Sequence, residues 1–396
     1  MTAMAQVKQA YRTRDAAPSA GLDQVILLAT LGLLGVGVIM VASTSIAVAE
    51  GYSVSVWHFL AKHLIYIGVG VTAAFSLRFI GTKQMQWLAP VAFPLSVLIL
   101  LLPFVPGLGH EVNGSARWID LGVATFQVVE VVKLMMIVFV AGYLAKRPQL
   151  GQARFIETLK PLLLVGLLAA MLLKQPDMGS AVVLGAIVGG MIWLAGAAWK
   201  HLFVLGLSSL PLLTFAALEP YRLQRVMTFV DPWADPFNSG FQLTQALIAV
   251  GRGQIDGVGL GASVQKLFYL PEAHTDFIFA VLAEELGLIG IVFVMILFSL
   301  LVGRIFLIGI QAYRQERSFS AFMVWGIGLW IGMQALVSMA VNLGMLPTKG
   351  LTLPLVSSGG SSLIMTLLAI GVVLRVQWEL SMEALQQPRR RRGWQV

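Results

Sequence analysis

Long apolar runs alternate with short polar breaks along almost the whole chain. Ten runs are long enough to cross a bilayer as helices: 24–47, 57–77, 87–105, 126–145, 159–174, 178–197, 201–217, 276–303, 319–343 and 360–379. A hydrocarbon core of about 30 Å takes about 20 predominantly apolar residues in a helix. The fifth and sixth runs are divided only by Lys174-Gln175-Pro176-Asp177, with Pro176 and Gly179 marking the turn. No small-residue cleavage pattern follows the first run, which reads as a retained span. The pattern predicts an all-α polytopic integral membrane protein of ten transmembrane helices. Residues 1–23 form an amino-terminal tail, 24–379 the transmembrane domain, and 380–396 a basic tail.

The polar breaks are unequal. Residues 218–275, between the seventh and eighth spans, make the longest. Connections beyond about 12–15 residues are usually functional or disordered. Tyr221, Phe229, Trp233, Phe237, Phe241, Leu260, Phe268 and Tyr269 argue for order. A short helix is expected over 242–250, followed by tight turns at Gly251 to Gly261. That glycine run lacks the spacing and βαβ setting of a dinucleotide fingerprint.

Composition agrees: 58% of residues are hydrophobic and 12% charged. There is no cysteine, which excludes disulfides and thiolate chemistry. The five histidines show no metal-ligand spacing. A net charge of +8 raises the question of nucleic acid, but its distribution answers it. With a cytoplasmic amino terminus, eighteen of the 27 Lys and Arg fall on inner segments and seven on outer ones. The positive-inside rule then puts both termini in the cytoplasm. The closing Arg389 to Arg392 cluster reads as a tail against anionic lipid. Acids gather on the outer side, so chemistry is expected there.

Several outer residues have the right chemistry. Arg117 beside Trp118 reads either as a grip on an anionic head group or as an interfacial anchor. Arg222 and Arg225, three apart, would share one face of a helical turn, for a diphosphate or for lipid and the loop's own acids. Ser361 and Ser362 open the last span after Gly359 and Gly360, either as a phosphate cradle with Lys349 nearby or as plain caps. Glu130 and Lys133 pair three residues apart inside the fourth span, where ionisable groups generally face a cavity. Asp276, preceded by His274 and Thr275, opens the eighth span. Thr275 or Asp276 reads as a helix cap, or Asp276 as a general base. Helix-dipole and lysine contacts are expected to hold its pKa low.

The segments GSARWIDLG, QVVEVVKL, QPDMGSAVV, PEAHTDFIFAVLAEELG and MLPTKGLTLPLVSSGGSSL, in that order, resemble the SEDS (shape, elongation, division and sporulation) family over residues 20–380. SVQKLFYLPEAHTDFIF is most similar to its cell-division branch. The resemblance implies a ten-span peptidoglycan glycosyltransferase of the bacterial inner membrane, polymerising lipid II at the division septum. It implies an FtsI-like class B penicillin-binding protein as partner, and other division proteins such as FtsQ, FtsL, FtsB and FtsN. The family's essential Asp maps onto Asp276, its span-four Glu and Lys onto Glu130 and Lys133, and its Pro-Thr-Lys-Gly lysine onto Lys349. Two positions depart from the family pattern: Val128 stands for a proline and Ser358 for a tyrosine.

The implied reaction has Asp276 accept the proton of an attacking sugar hydroxyl. Lys133, Lys349, Arg117, Arg222 and Arg225 are the cations available to the departing diphosphate. No cofactor is required by the sequence, and a divalent cation (Mg or Mn) at the diphosphate is compatible with it. A lipid II flippase, a scaffold that recruits division proteins, and a RodA-like elongation polymerase are the alternatives.

Overall fold

Inside a bilayer each peptide group needs a partner within its own segment, so apolar runs become helices. The computed structural model describes residues 22–51, 55, 57–112, 115–120, 122, 125–147, 155–201, 203–204, 206–207, 219–267 and 269–386. The side chains of 46–51, 112, 116, 220–222 and 386 lie outside that description. The first helices are α1 (Gln24–Gly51), α2 (Trp57–Ser76) and α3 (Thr82–Leu101). Strands β1 (Gly109–Val112), β2 (Ser115–Asp120) and β3 (Thr125–Gln127) come next. Then follow α4 (Val128–Ala145), α5 (Phe155–Lys174), α6 (Met178–Leu194), α7 (Pro220–Val230) and α8 (Phe241–Gly253). The chain ends with α9 (Ile278–Arg314), α10 (Ser318–Asn342) and α11 (Gly360–Gln386).

Among the described residues, eight helices are long and apolar enough to cross a membrane: α1 to α5 and α9 to α11. The 17-residue α6 is apolar but shorter, and falls on the sixth expected span. The seventh, 201–217, lies largely outside the described residues. α8 matches the short helix expected over 242–250, and α7 carries Arg222 and Arg225 on one helix.

Two expectations need correction. The chain is not all-α, because β1, β2 and β3 form an antiparallel sheet in the loop after α3. Val112 pairs with Ser115, leaving only Asn113-Gly114 between the strands, a dipeptide that favours a tight hairpin. The eighth span does not start at Asp276. α9 begins at Ile278 and runs 37 residues, about 55 Å at about 1.5 Å per residue.

α9 is broken at Gly287, whose φ of 63° and ψ of −160° favour glycine. The break frees backbone groups that the 254–259 loop takes up. Val258 and Gly259 N–H donate to the Glu284 and Glu285 carbonyls, and Leu288 and Ile289 N–H donate to those of Gln254 and Ile255. The glycine-rich stretch is therefore stitched into the helix it faces.

α4, α10 and α11 are each 67% buried over their apolar windows, against 17% for α2. They form the centre of the bundle, and α10 alone contributes the fully enclosed Trp330. α1 and α9 pack together with opposite senses. Asp23 pairs with Arg304 at one end (2.7 Å), while Ser43 meets Glu285 at the other (2.6 Å). At the end bearing Asp23, Glu379 of α11 binds Arg317, Arg375 and Thr82. α7 lies on the opposite end with its amphipathic face reversed: Leu223, Val226, Met227 and Val230 are exposed, and Arg225 and Thr228 face inward.

Candidate active site

The turn 271–277 leads into α9 and carries Glu272, His274, Thr275 and Asp276. Phe277 is the helix N-cap and makes no side-chain cap, so neither Thr275 nor Asp276 serves α9 in that way. The Thr275 hydroxyl instead donates to the Glu272 carboxylate at 2.6 Å. Three consecutive carbonyls of this turn are held from elsewhere. His274 O accepts from Ser358 N–H (3.0 Å), Thr275 O from the Ser357 hydroxyl (2.7 Å), and Asp276 O from the Asn342 amide (2.9 Å). The backbone of Asp276 is thus fixed on its carbonyl side by α10 and by the segment before α11.

The Asp276 carboxylate is half-buried and makes no hydrogen bond among the described residues. It lies against Gly350, where an added Cβ would sit 3.2 Å from Oδ2. Burial pushes its pKa from 3.8 up to about 7. Glu272 and Asp177 push the same way, while Arg117 and Arg225 pull it down. This reverses the expectation of a low value: desolvation outweighs the cations, and the residue stands two positions outside the helix. Burial also lowers His274, against an opposing pull from Glu272. Its ring packs on Phe59, with centroids 5.7 Å apart.

Glu130 and Lys133 pair at 2.8 Å near the start of α4, with the Lys133 side chain fully buried. Lys133 Nζ also donates to Gln334 Oε1 (2.7 Å) and sits 5.0 Å from the Trp330 ring centroid. Enclosed in this way, Lys133 is not presented to a ligand's diphosphate, contrary to expectation. Its link to the outer rim runs through Gln334, whose Nε2 donates to Thr352 O at 3.1 Å. The N–H of the same peptide, from Leu353, donates to the Ser357 hydroxyl at 2.8 Å, and that hydroxyl binds Thr275 O. One polar chain therefore connects the buried pair with the turn that carries Asp276.

Other expected residues have different partners. Arg117, on β2, donates to the carbonyls of Gln175 (3.1 Å) and Pro176 in the turn before α6. Arg225 donates to Thr348 O at 3.1 Å and so steadies the loop carrying Lys349. The Arg222 side chain lies outside the described residues. Lys349 is half-buried, its pKa lowered by burial, and its ammonium has no hydrogen-bond or ion-pair partner among the described residues. The serine cradle is corrected. Ser361 accepts from Gln127 N–H at the head of α4 (2.9 Å), and Ser362 from Gln334 (3.3 Å). The Tyr66 ring fills the space a side chain at Gly360 would need, so helix packing accounts for that glycine. Neither departure disturbs the site: α4 starts at Val128 with its ion pair intact, and Ser358 contributes its backbone N–H.

Gln334 and Asn342 were missed, and Ser357 was legible only as part of the serine- and glycine-rich stretch before the last span. Gln334, Ser338 and Asn342 recur at intervals of four along an otherwise apolar span, a polar stripe on one helical face. Such a stripe in hydrocarbon signals an internal polar network. Among the described residues no group of His, Asp or Glu converges to hold a metal ion.

A helical bundle whose three central helices share a buried polar network, linked to the turn that carries a half-buried carboxylate at one end, defines a polytopic membrane protein with a candidate acid–base centre. A family model for the FtsW/RodA/SpoVE cell cycle proteins matches residues 24–382, and the chain belongs to that family. It is 49% identical over 380 residues to the probable peptidoglycan glycosyltransferase FtsW of Alkalilimnicola ehrlichii, covering 94% of this chain and 92% of that one. It is 48% identical to the same-named protein of Coxiella burnetii over 90% of this chain and 96% of that one. A chain from a peptidoglycan synthase complex that coordinates polymerization and crosslinking superposes with a TM-score of 0.74. The two are 31% identical, over 91% of this chain and 98% of that one. The rod shape determining protein RodA of Thermus thermophilus gives 0.65 at 27% identity, over 90% and 97%.

Proposed function

We propose that the protein is a peptidoglycan glycosyltransferase that polymerises lipid II during septal wall synthesis in cell division. In this reading ten helices cross the inner membrane, with α6 and the 201–217 stretch completing the count. Both termini are cytoplasmic, and the long loop 218–275 lies with the catalytic end in the periplasm. The 4-hydroxyl of a terminal GlcNAc attacks the anomeric carbon of MurNAc in a second substrate. Asp276 takes the hydroxyl proton as the new carbon–oxygen bond forms. The bond to undecaprenyl diphosphate breaks, and the diphosphate leaves with the negative charge. Lys349 is the cation best suited to meet that charge, since its ammonium is uncommitted among the described residues. Arg117 and Arg225 brace the site through carbonyls, and Arg225 holds the Lys349 loop itself. Lys133, Glu130, Ser361 and Ser362 act through the buried network.

The observation that carries this reading is the unpartnered, half-buried Asp276 carboxylate with a pKa of about 7, a value suited to proton acceptance at neutral pH. The partner expected alongside it is a class B penicillin-binding protein that crosslinks the product. The reading is tested by giving the purified protein, with that partner, lipid II in detergent and resolving the glycan strands on a gel. Wild type makes strands and Asp276→Asn makes none. Strand synthesis by Asp276→Asn would refute the assignment of the base. Movement of lipid II across sealed vesicles without any strand synthesis would favour a flippase.

A further inference from the structure

Asn342 closes α10 and is completely buried. Its Nδ2 donates to Asp276 O at 2.9 Å and to Ser338 O at 2.8 Å, and its Oδ1 accepts from Ala280 N–H at 3.0 Å. Both amide hydrogens are therefore in use. Ala280 is the third residue of α9, and its N–H is shared between Asn342 Oδ1 on another helix and the carbonyl of the N-cap Phe277 (3.0 Å). A cap alone needs only an oxygen, as Ser and Asp show at helix starts. The nitrogen half does something else: it grips the peptide that carries Asp276.

Ser357 reaches the preceding peptide from the other side, donating to Thr275 O while accepting from Leu353 N–H. The two side chains thus hold adjacent carbonyls and fix the direction in which the Asp276 side chain leaves the turn, toward Gly350.

We infer that Asn342, acting with Ser357, is a positioning residue that fixes Asp276 in the geometry needed for proton abstraction. The inference rests on the reading of Asp276 as the base. A bond that sets direction differs from one that only adds stability, because its loss moves the reacting group. Misplacement by about 1 Å can cost about 100-fold in rate.

The test uses the full-length protein with its transpeptidase partner and lipid II, following strand synthesis between pH 5.5 and 9 in Asn342→Asp, Asn342→Ala, Ser357→Ala and Asp276→Asn. Asn342→Asp keeps the oxygen for Ala280 and loses the donor. It is expected to lower kcat by about 10- to 100-fold, with KM for lipid II within about threefold. In Asn342→Ala and Ser357→Ala the carboxylate is freer to reach water, so the acidic limb of the kcat profile moves to lower pH. The charged groups that act on Asp276 are Glu272 on its own turn, Arg117 on β2, Asp177 before α6 and Arg225 on α7. His274 stands two residues before it in the same turn, and Lys349 precedes Gly350 in the loop against which its carboxylate lies. All are retained in these variants, so a moved limb reports Asp276 itself.

A wild-type kcat and limb in the Asn342 variants overturns the inference. So does an activity loss matched by loss of folded protein with the limb unmoved. If neither Asn342 variant folds, Ser357→Ala decides: the inference stands on a lowered kcat with a shifted limb and falls on a wild-type profile. Should Asp276→Asn itself make strands, the base assignment fails. An inactive Asp276→Asn beside wild-type Asn342 and Ser357 variants removes only the positioning role.

Discussion

Lys266 Nζ lies 2.7 Å from Glu285 Oε1, with both side chains almost wholly buried. The pair joins the long outer loop to α9, and Lys266 also donates to Ser43 of α1 and to Gly261 O. Removing one member leaves a buried charge without its counter-ion, which costs more than never having placed the pair there. Lys266→Met is expected to destabilise the protein by about 3–5 kcal/mol. Lys266→Met with Glu285→Gln should recover part of that loss. Thermal unfolding of the detergent-solubilised variants measures both.

With Asp276 as the proposed base, its pKa of about 7 predicts the pH dependence of activity. A base must be ionised, so kcat should fall tenfold per pH unit well below pH 7 and level off above it. A rate that stays flat from pH 8 to pH 5.5 would contradict the role.

The same shift acts on stability in the opposite sense. Because the folded pKa lies above the ordinary 3.8, the folded protein keeps its proton over a range where the unfolded chain has released it. The contribution of Asp276 to stability therefore declines as pH rises from about 4 to about 7 and stays low beyond. Asp276→Asn escapes that decline. Its melting temperature should match wild type near pH 4 and exceed it at pH 8.

Lys349→Met removes the uncommitted ammonium next to Gly350. Loss of one fixed group opposite a developing anion typically costs about 100- to 1000-fold in kcat. Single-turnover synthesis at saturating lipid II measures this, and Lys349→Arg should retain part of the rate. An unchanged rate for Lys349→Met would move the leaving-group contact elsewhere.

Gly287→Ala places a side chain at a positive φ in a buried break. That region of backbone space is essentially reserved for glycine, so the strain costs about 1–3 kcal/mol, before any crowding against Ile255 O. Limited proteolysis should then cut the 254–266 stretch faster than in wild type.

Periodicity and length placed most of the spans, because hydrocarbon leaves the backbone no alternative to the helix. The α5–α6 turn and α8 were equally legible, from Pro176 and from the apolar spacing of 242–250. The hairpin of β1 and β2 has only Asn113-Gly114 as a local signal, because strands of four and six residues are too short to show a clear alternation between two long apolar spans. Asp276, Glu130 and Lys133 stood out as charges in apolar surroundings. What they touch did not, because Gln334, Asn342 and Ser357 reach them across 60 to 200 residues of sequence. Serine and glycine before α11 looked like a ligand cradle. Spacing alone cannot tell a hydroxyl turned outward from one bonded to Gln127.

The peptide groups opened at Gly287 are closed again by the backbone of 254–259, with Glu284 and Glu285 clamping the same loop through Arg252, Ser263 and Lys266. Loop, clamp and the first turns of α9 consequently form a single rigid plate, and the candidate base rides on its edge. Bending that plate would break four backbone hydrogen bonds at once, so the turn that carries Asp276 is held against a stiff support.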